Sequence, residues 1–194
     1  TEVHLRLSPI PESIMSAVCH FPSLEDAVMT AQQVIQYGVP IARIEMLNKD
    51  QMGISINYSK LKDIQAVPTL FFEFHGSETS NNENIKIVEE ISKDNNGSSF
   101  KWAKDLEERN KLWKARWDVY YSVKALIKNG RVYSTDICVP ISNITECVNF
   151  AEEEAKKFGL RAPMVGHLGD GNFHVILPFD PTKKEMYKKI REFN

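Results

Sequence analysis

No stretch of this 194-residue chain holds the roughly 18 consecutive apolar residues that a membrane-spanning helix needs. Nor does either charge sign dominate. Twenty-four Lys and Arg stand against 26 Asp and Glu, giving a formal net charge of -2 and a pI near 6.2. That balance supplies no general attraction to phosphate backbones or anionic lipid, so no nucleic-acid partner is expected. Cysteine is scarce: Cys19, Cys138 and Cys147 are odd in number and lack a Cys-x-x-Cys spacing, which argues against a disulfide framework. They read as reduced thiols packed into a core. Glycine is also sparse, and "GHLGDG" does not fit the dinucleotide-binding pattern, because its glycines lie between two short apolar runs rather than at a strand-to-helix turn. The opening "TEVHLRLSPIPE" has no initiator methionine, basic n-region or apolar h-region, and the closing "MYKKIREFN" resembles a helix cut partway. The chain therefore reads as a fragment, with any targeting segment elsewhere.

What is present is enough apolar material, 42% of residues, for one large domain or two small ones. Strand-like and helix-like stretches alternate. "SIMSAVCHF" (13–21) reads as a strand. Pro22 and Ser23 open a helix with Leu24, Ala27, Val28, Ala31 and Ile35 at helical spacing, stopped by Gly38. "IARIEML" (41–47) is the next strand. "TLFFEFHG" (69–76) follows as a strand, then a helix from about Thr79 to Asn95 with Ile85, Val88 and Ile91 inward, then a short strand near "SSFKWA". Two strand-helix-strand units in tandem predict a ferredoxin-like α+β layer, a mainly antiparallel sheet with helices on one face. A long helix from about Lys104 to Leu126 precedes a third unit. In that unit "RVYSTDICVP" is a strand, "SNITECVNFAEEEAKKFG" a helix capped at Ser142 or Asn143, and "APMVGHL" and "NFHVILP" a strand pair. A final helix starts at Asp180-Pro181.

The strand pair carries the chemistry. If Asp170-Gly171 forms a two-residue turn, His167 faces His174 directly. Alternation then puts Met164, Leu168, Phe173, Val175 and Leu177 on a core face, and Val165, His167, Asn172, His174 and Ile176 on the other. Opposed Cβ atoms lie about 4.5 to 5.5 Å apart, close enough for two imidazoles to share a divalent ion at roughly 2.0 to 2.1 Å per bond. Asn172 projects beside them with a donor and an acceptor for a ligand. The alternative is two partly exposed, hydrogen-bonded histidines flanking an ordinary turn. A metal site would also need a third protein ligand from elsewhere, since Asp170 points outward at the turn tip.

"GHLGDGNFH" resembles the His-x-Gly-Asp-Gly-Asn-x-His signature of the FAD-linked oxidase C-terminal domain, the substrate-side cap of D-lactate dehydrogenases, glycolate oxidase and D-2-hydroxyglutarate dehydrogenase. "LRLSPIPE", "ARIEML", "PTLFFEFHG", "RNKLWKARWDVYY" and "YSTDICVPIS" agree in order and spacing. Within that family the combination is most similar to the mitochondrial, cytochrome-linked D-lactate dehydrogenases. The resemblance implies that residues 1–12 end the FAD-binding domain or link to it, and that residues 13–194 form the cap, truncated at its C-terminal end. It implies FAD, bound mainly by a domain absent here, and a divalent metal, Zn or Mn. It implies oxidation of a small 2-hydroxy acid to the 2-oxo acid by hydride transfer to the flavin, an acceptor such as cytochrome c or quinone, and a mitochondrial location.

Residue by residue, the resemblance makes His167 and His174 metal ligands, and Asn172 and Arg116 parts of the substrate site, with Arg116 on the carboxylate. Tyr120 joins them as the aromatic neighbour of Arg116, one helical turn away on a stripe with Trp113, Trp117 and Lys124. Without the resemblance, Arg116 would read more readily as an arginine lying along a core-facing helix. The family's Gly-Glu-His-Gly segment, with its metal-binding glutamate and proposed histidine base, falls beyond Asn194, so the catalytic base is not identified here and the fragment alone is expected to be inactive. Relatives specific for hydroxyglutarate carry a lysine where Ser134 stands, which favours a monocarboxylate such as D-lactate. A hydroxyglutarate- or glycolate-oxidising relative, or a non-catalytic ferredoxin-like binding module, are the alternatives.

Overall fold

A computed structural model describes residues 2–7, 9–62 and 64–194. The first strand, β1 (Ser13–His20), leads into α1 (Leu24–Gln36), whose Ser23 N-cap accepts a hydrogen bond from the Asp26 amide. β2 (Arg43–Leu47) is followed by α2 (Lys49–Ser59), β3 (Thr69–Gly76), α3 (Glu78–Asp94) and β4 (Ser98–Ala103). The strand order β4-β1-β3-β2, antiparallel throughout, is that of a ferredoxin-like unit. The chain then forms α4 (Leu106–Trp117), α5 (Val119–Lys124), β5 (Arg131–Ser134), β6 (Ile137–Cys138), α6 (Ile144–Lys157), β7 (Met164–His167), β8 (Asn172–Phe179) and α7 (Lys184–Phe193). β7 pairs with β2, β8 with β7, and β5 and β6 with β8, every pairing antiparallel, so one eight-stranded sheet runs across the molecule. The expected α+β class and mainly antiparallel sheet are what the chain adopts. No helix among the described residues is long and apolar enough to cross a membrane.

Helices cover both faces of the sheet, not one. On the first face, β-strand residues such as Ala17, Ile44, Phe72, Phe173 and Val175 pack with α1, α3, α6 and α7 through Val28, Val88, Val148 and Ile190. On the second, Val18, Phe71, Val165 and Ile176 pack with α2, α4 and α5 through Met52, Trp113, Ala115 and Val123. In the second layer, α2 sits where the sequence shows no apolar period: its buried stripe is partly polar, with Gln51 donating to the hydroxyls of Ser55 and Ser122.

Other boundaries also move. The long helix breaks at Asp118 into α4 and α5; Trp113 is buried against Phe71, while Trp117 and Tyr120 are about half exposed, at 55% and 50%. The aromatic stripe is therefore not one surface. The single strand expected over 131–140 is split at Thr135-Asp136. Glu2–Leu7 forms no strand, and Thr1 and Ser8 of the expected linker lie outside the described residues. Of the cysteines, Cys19 is buried and Cys147 partly so, but Cys138 is exposed, which corrects the reading of all three as core-packed.

Candidate functional site

The turn after β7 is longer than a dipeptide. Leu168–Asp170 form a 3-10 turn closed by Gly171 at φ 71°, and the ladder pairs His167 with Asn172 and Val165 with His174. The two histidines are diagonal neighbours rather than direct partners. Because the slip is two residues, parity survives: the predicted core face holds, and Leu168 still reaches the core at 1% exposure. The rings meet edge to face, with centroids 5.6 Å apart.

One cross-strand row on the second face organises the site. Register places Val18, Phe71, Glu45, His167 and Asn172 side by side across five strands. The row is apolar as far as Phe71 and polar from Glu45 onward. Glu45, absent from the sequence reading, is buried, and an unpaired buried carboxylate is costly. One of its oxygens accepts from His167 Nδ1 at 2.8 Å, the other from Arg116 Nε at 2.8 Å. Burial pushes the Glu45 carboxyl up, but the His167 hydrogen bond and the Arg116 charge outweigh it and hold the group below the usual carboxylate range.

His174 Nδ1 is 2.8 Å from the carbonyl of Thr135, at the split between β5 and β6. A carbonyl accepts only, so that nitrogen carries the proton; the ionised Glu45 imposes the same tautomer on His167. In a neutral ring with its hydrogen on Nδ1, Nε2 is the lone-pair atom, the form in which imidazole binds a metal. Asp136 Oδ1 lies 3.7 Å from His174 Nδ1. Asn172 spends both amide hydrogens on the protein, donating to Asp136 Oδ1 at 2.9 Å and to the Ile137 carbonyl at 3.1 Å, and its oxygen accepts no hydrogen bond among the described residues. A cavity of about 320 Å³ opens beside Glu45 and His167, lined also by Arg43, Ile41, Gly169 and Asp170.

The residues fit a divalent cation only in part. His167 and His174 offer two suitable nitrogens, yet no group of three His, Cys, Asp or Glu side chains is placed to enclose a metal among the described residues. Arg116 is linked to His167 through Glu45 rather than lying loose along its helix. Tyr120 sits beyond the break at Asp118 and stacks edge-on against Tyr121, with no hydrogen bond to Arg116 or the histidines among the described residues. Glu45 had one visible signal, an acid at the centre of the apolar strand "IARIEML". Thr135 and Asp136 were marked only by lying in "YSTDICVPIS", a segment that resembles the family.

A profile of FAD linked oxidases, C-terminal domain, matches residues 10–194. The chain belongs to that family. It is 42% identical over its full length to the probable mitochondrial D-lactate dehydrogenase of Danio rerio, and 34% identical to the mitochondrial D-lactate dehydrogenase [cytochrome] of Arabidopsis thaliana. It spans 39% and 34% of those two proteins. The glycolate oxidase subunit GlcD of Bacillus subtilis is 25% identical over 99% of the chain and 41% of that subunit. Among solved structures, p-cresol methylhydroxylase aligns over 95% of the chain and 42% of its own at a TM-score of 0.66 and 12% identity, a likeness of fold alone.

Proposed function

We propose that this chain is the substrate-side cap of an FAD-dependent dehydrogenase that oxidises D-lactate to the 2-oxo acid. The observation that carries the reading is the pair of adjacent imidazoles whose Nδ1 hydrogens are both committed to protein oxygens, beside an arginine held by the same carboxylate as one of them. Family membership and the names of the relatives support it.

Arg116 takes the substrate carboxylate. Its Nε is used by Glu45, and no hydrogen bond from its terminal nitrogens occurs among the described residues, so the planar fork is available for bidentate contact. His167 and His174 would hold a divalent cation, Zn or Mn, which would lower the cost of negative charge on the substrate hydroxyl oxygen, and FAD, held mainly outside this chain, would supply the hydride acceptor. Asn172 lines the substrate site beside the histidines, and Tyr120 flanks the arginine. The hydroxyl proton leaves for a base that the resemblance places in the Gly-Glu-His-Gly segment. Residues 1–12 serve as the link to the flavin domain. Electrons pass on to an acceptor such as cytochrome c or quinone, and the relatives' names favour a mitochondrial setting. Ser134, whose hydroxyl donates to the Thr135 carbonyl, offers no cation to a second carboxylate, which favours a monocarboxylate.

Anaerobic mixing of the full-length flavoprotein with D-lactate, glycolate and D-2-hydroxyglutarate tests this. D-lactate is expected to bleach the flavin fastest. A flavin left oxidised by all three acids would end the proposal.

A further inference from the structure

Glu45 is an expensive residue to keep. The row that contains it is filled on one side by Phe71 and Val18, so the sheet face accepts apolar side chains at this depth. A buried ion pair rarely outperforms a hydrophobic replacement of similar volume in stability alone. The carboxylate therefore needs another explanation, and its geometry supplies one. The two oxygens are divided between partners from different parts of the chain: Oε1 to His167 on β7, Oε2 to Arg116 on α4, each at 2.8 Å.

Each bond fixes something useful. The first sets the His167 tautomer and turns its Nε2 outward. The second takes the inner edge of the guanidinium and leaves the outer fork free. Glu45 itself stands at the middle of β2, paired on both sides by β3 and β7, so it is among the most rigidly held groups available. A rigid second layer is what keeps contact groups in register with one another.

We propose that Glu45 is a positioning residue that couples the cation-binding histidine to the carboxylate-binding arginine, setting the distance between the two ends at which a 2-hydroxy acid is held. It touches neither substrate nor cation. The inference rests on the assignment of His167 and Arg116 given above. It predicts that one substitution disturbs two binding events whose direct ligands are all still present.

The test uses the full-length flavoprotein and Mn2+ alone, titrated while the free ion is followed by electron paramagnetic resonance, so that binding is read without turnover. Glu45→Gln keeps the shape, but its amide places a donor against one of two donors. Mn2+ affinity should fall by about 10- to 100-fold, and KM for D-lactate should rise in the same variant, with the thermal midpoint little changed. Glu45→Asp, which keeps the charge and withdraws it by one methylene, should weaken both to a smaller extent and serves if the glutamine variant does not fold. Unchanged Mn2+ affinity in variants that fold, with wild type binding the ion, overturns the positioning role and leaves the site assignment standing. A wild-type protein that neither binds Mn2+ nor has its flavin reduced overturns the site assignment and this inference with it.

Discussion

The rings of His167 and His174 lie 82° apart in plane and 5.6 Å apart in centroid, although the two residues are not partners in the β7–β8 ladder. Their Nδ1 hydrogens go to different acceptors, Glu45 and the Thr135 carbonyl. Each ring is thus held independently, and each supplies one nitrogen. Replacing either with alanine in the full-length enzyme should remove bound metal and flavin reduction together, because one imidazole cannot hold a divalent ion tightly. Metal analysis of the purified variants alongside stopped-flow reduction checks this. A variant that has lost its metal yet reduces flavin at the wild-type rate would refute the role.

Arg116→Lys separates charge from shape. A lysine keeps the charge beside Glu45 but has no planar fork. Loss of a charge-assisted hydrogen bond to a carboxylate is worth about 1.5 to 3 kcal/mol, or roughly 10- to 150-fold in kcat/KM. The loss should appear mainly in KM, as expected for a contact made in ground state and transition state alike. Steady-state kinetics with D-lactate gives the split.

The sequence carried the strands well and the turn poorly. Strand β3 occupies Thr69–Gly76 and β4 Ser98–Ala103, where the sequence places them. Helix α2 was hidden because Gly53, Ser55, Asn57 and Ser59 are weak helix formers and its buried positions include Gln51 and Ser55. The Asp170-Gly171 dipeptide implied a two-residue turn, but such a turn of the favoured type needs positive φ at both central residues, and only Gly171 has it. Leu168–Asp170 form a 3-10 turn that lengthens the loop, with Leu168 in the core as expected. Glu45 showed only as an acid in an apolar strand: its partners lie 71 and 122 residues away, so nothing local marks the contact.

That lengthened loop gives a stability prediction. A Cβ on Gly171 would sit 2.2 Å from the Val139 carbonyl oxygen, with φ already at +71°, whereas one on Gly169 meets nothing within 4 Å. Gly171→Ala combines left-handed strain with a backbone clash, together about 2 to 3 kcal/mol. For a chain of this size that lowers the thermal midpoint by roughly 5 to 10 °C. Gly169→Ala should stay within about 0.5 kcal/mol of the parent. Parallel melts of the two variants decide it, and equal midpoints would mean that the loop is not anchored at Gly171.

His20 provides the acid-side prediction. Its Nδ1 is 2.9 Å from the hydroxyl of Thr69, which donates its own hydrogen to the Val67 carbonyl and so must accept from the ring. The proton that titrates is therefore the one on Nε2. Burial lowers the affinity of His20 for that proton below the ordinary value of 6.5, helped by the Lys101 charge, and Lys62 and Lys111 line the same cavity. A depressed histidine binds fewer protons folded than unfolded, so its contribution is complete above pH 6.5 and is lost as pH falls from 6.5 through the depressed value. The associated slope is at most one proton per chain. Denaturant melts between neutral and mildly acidic pH should show stability falling more steeply in the parent than in His20→Asn, with the two curves parallel above neutrality. Identical slopes across the acid range would place His20 in contact with water and remove the cavity's electrostatic character from the account.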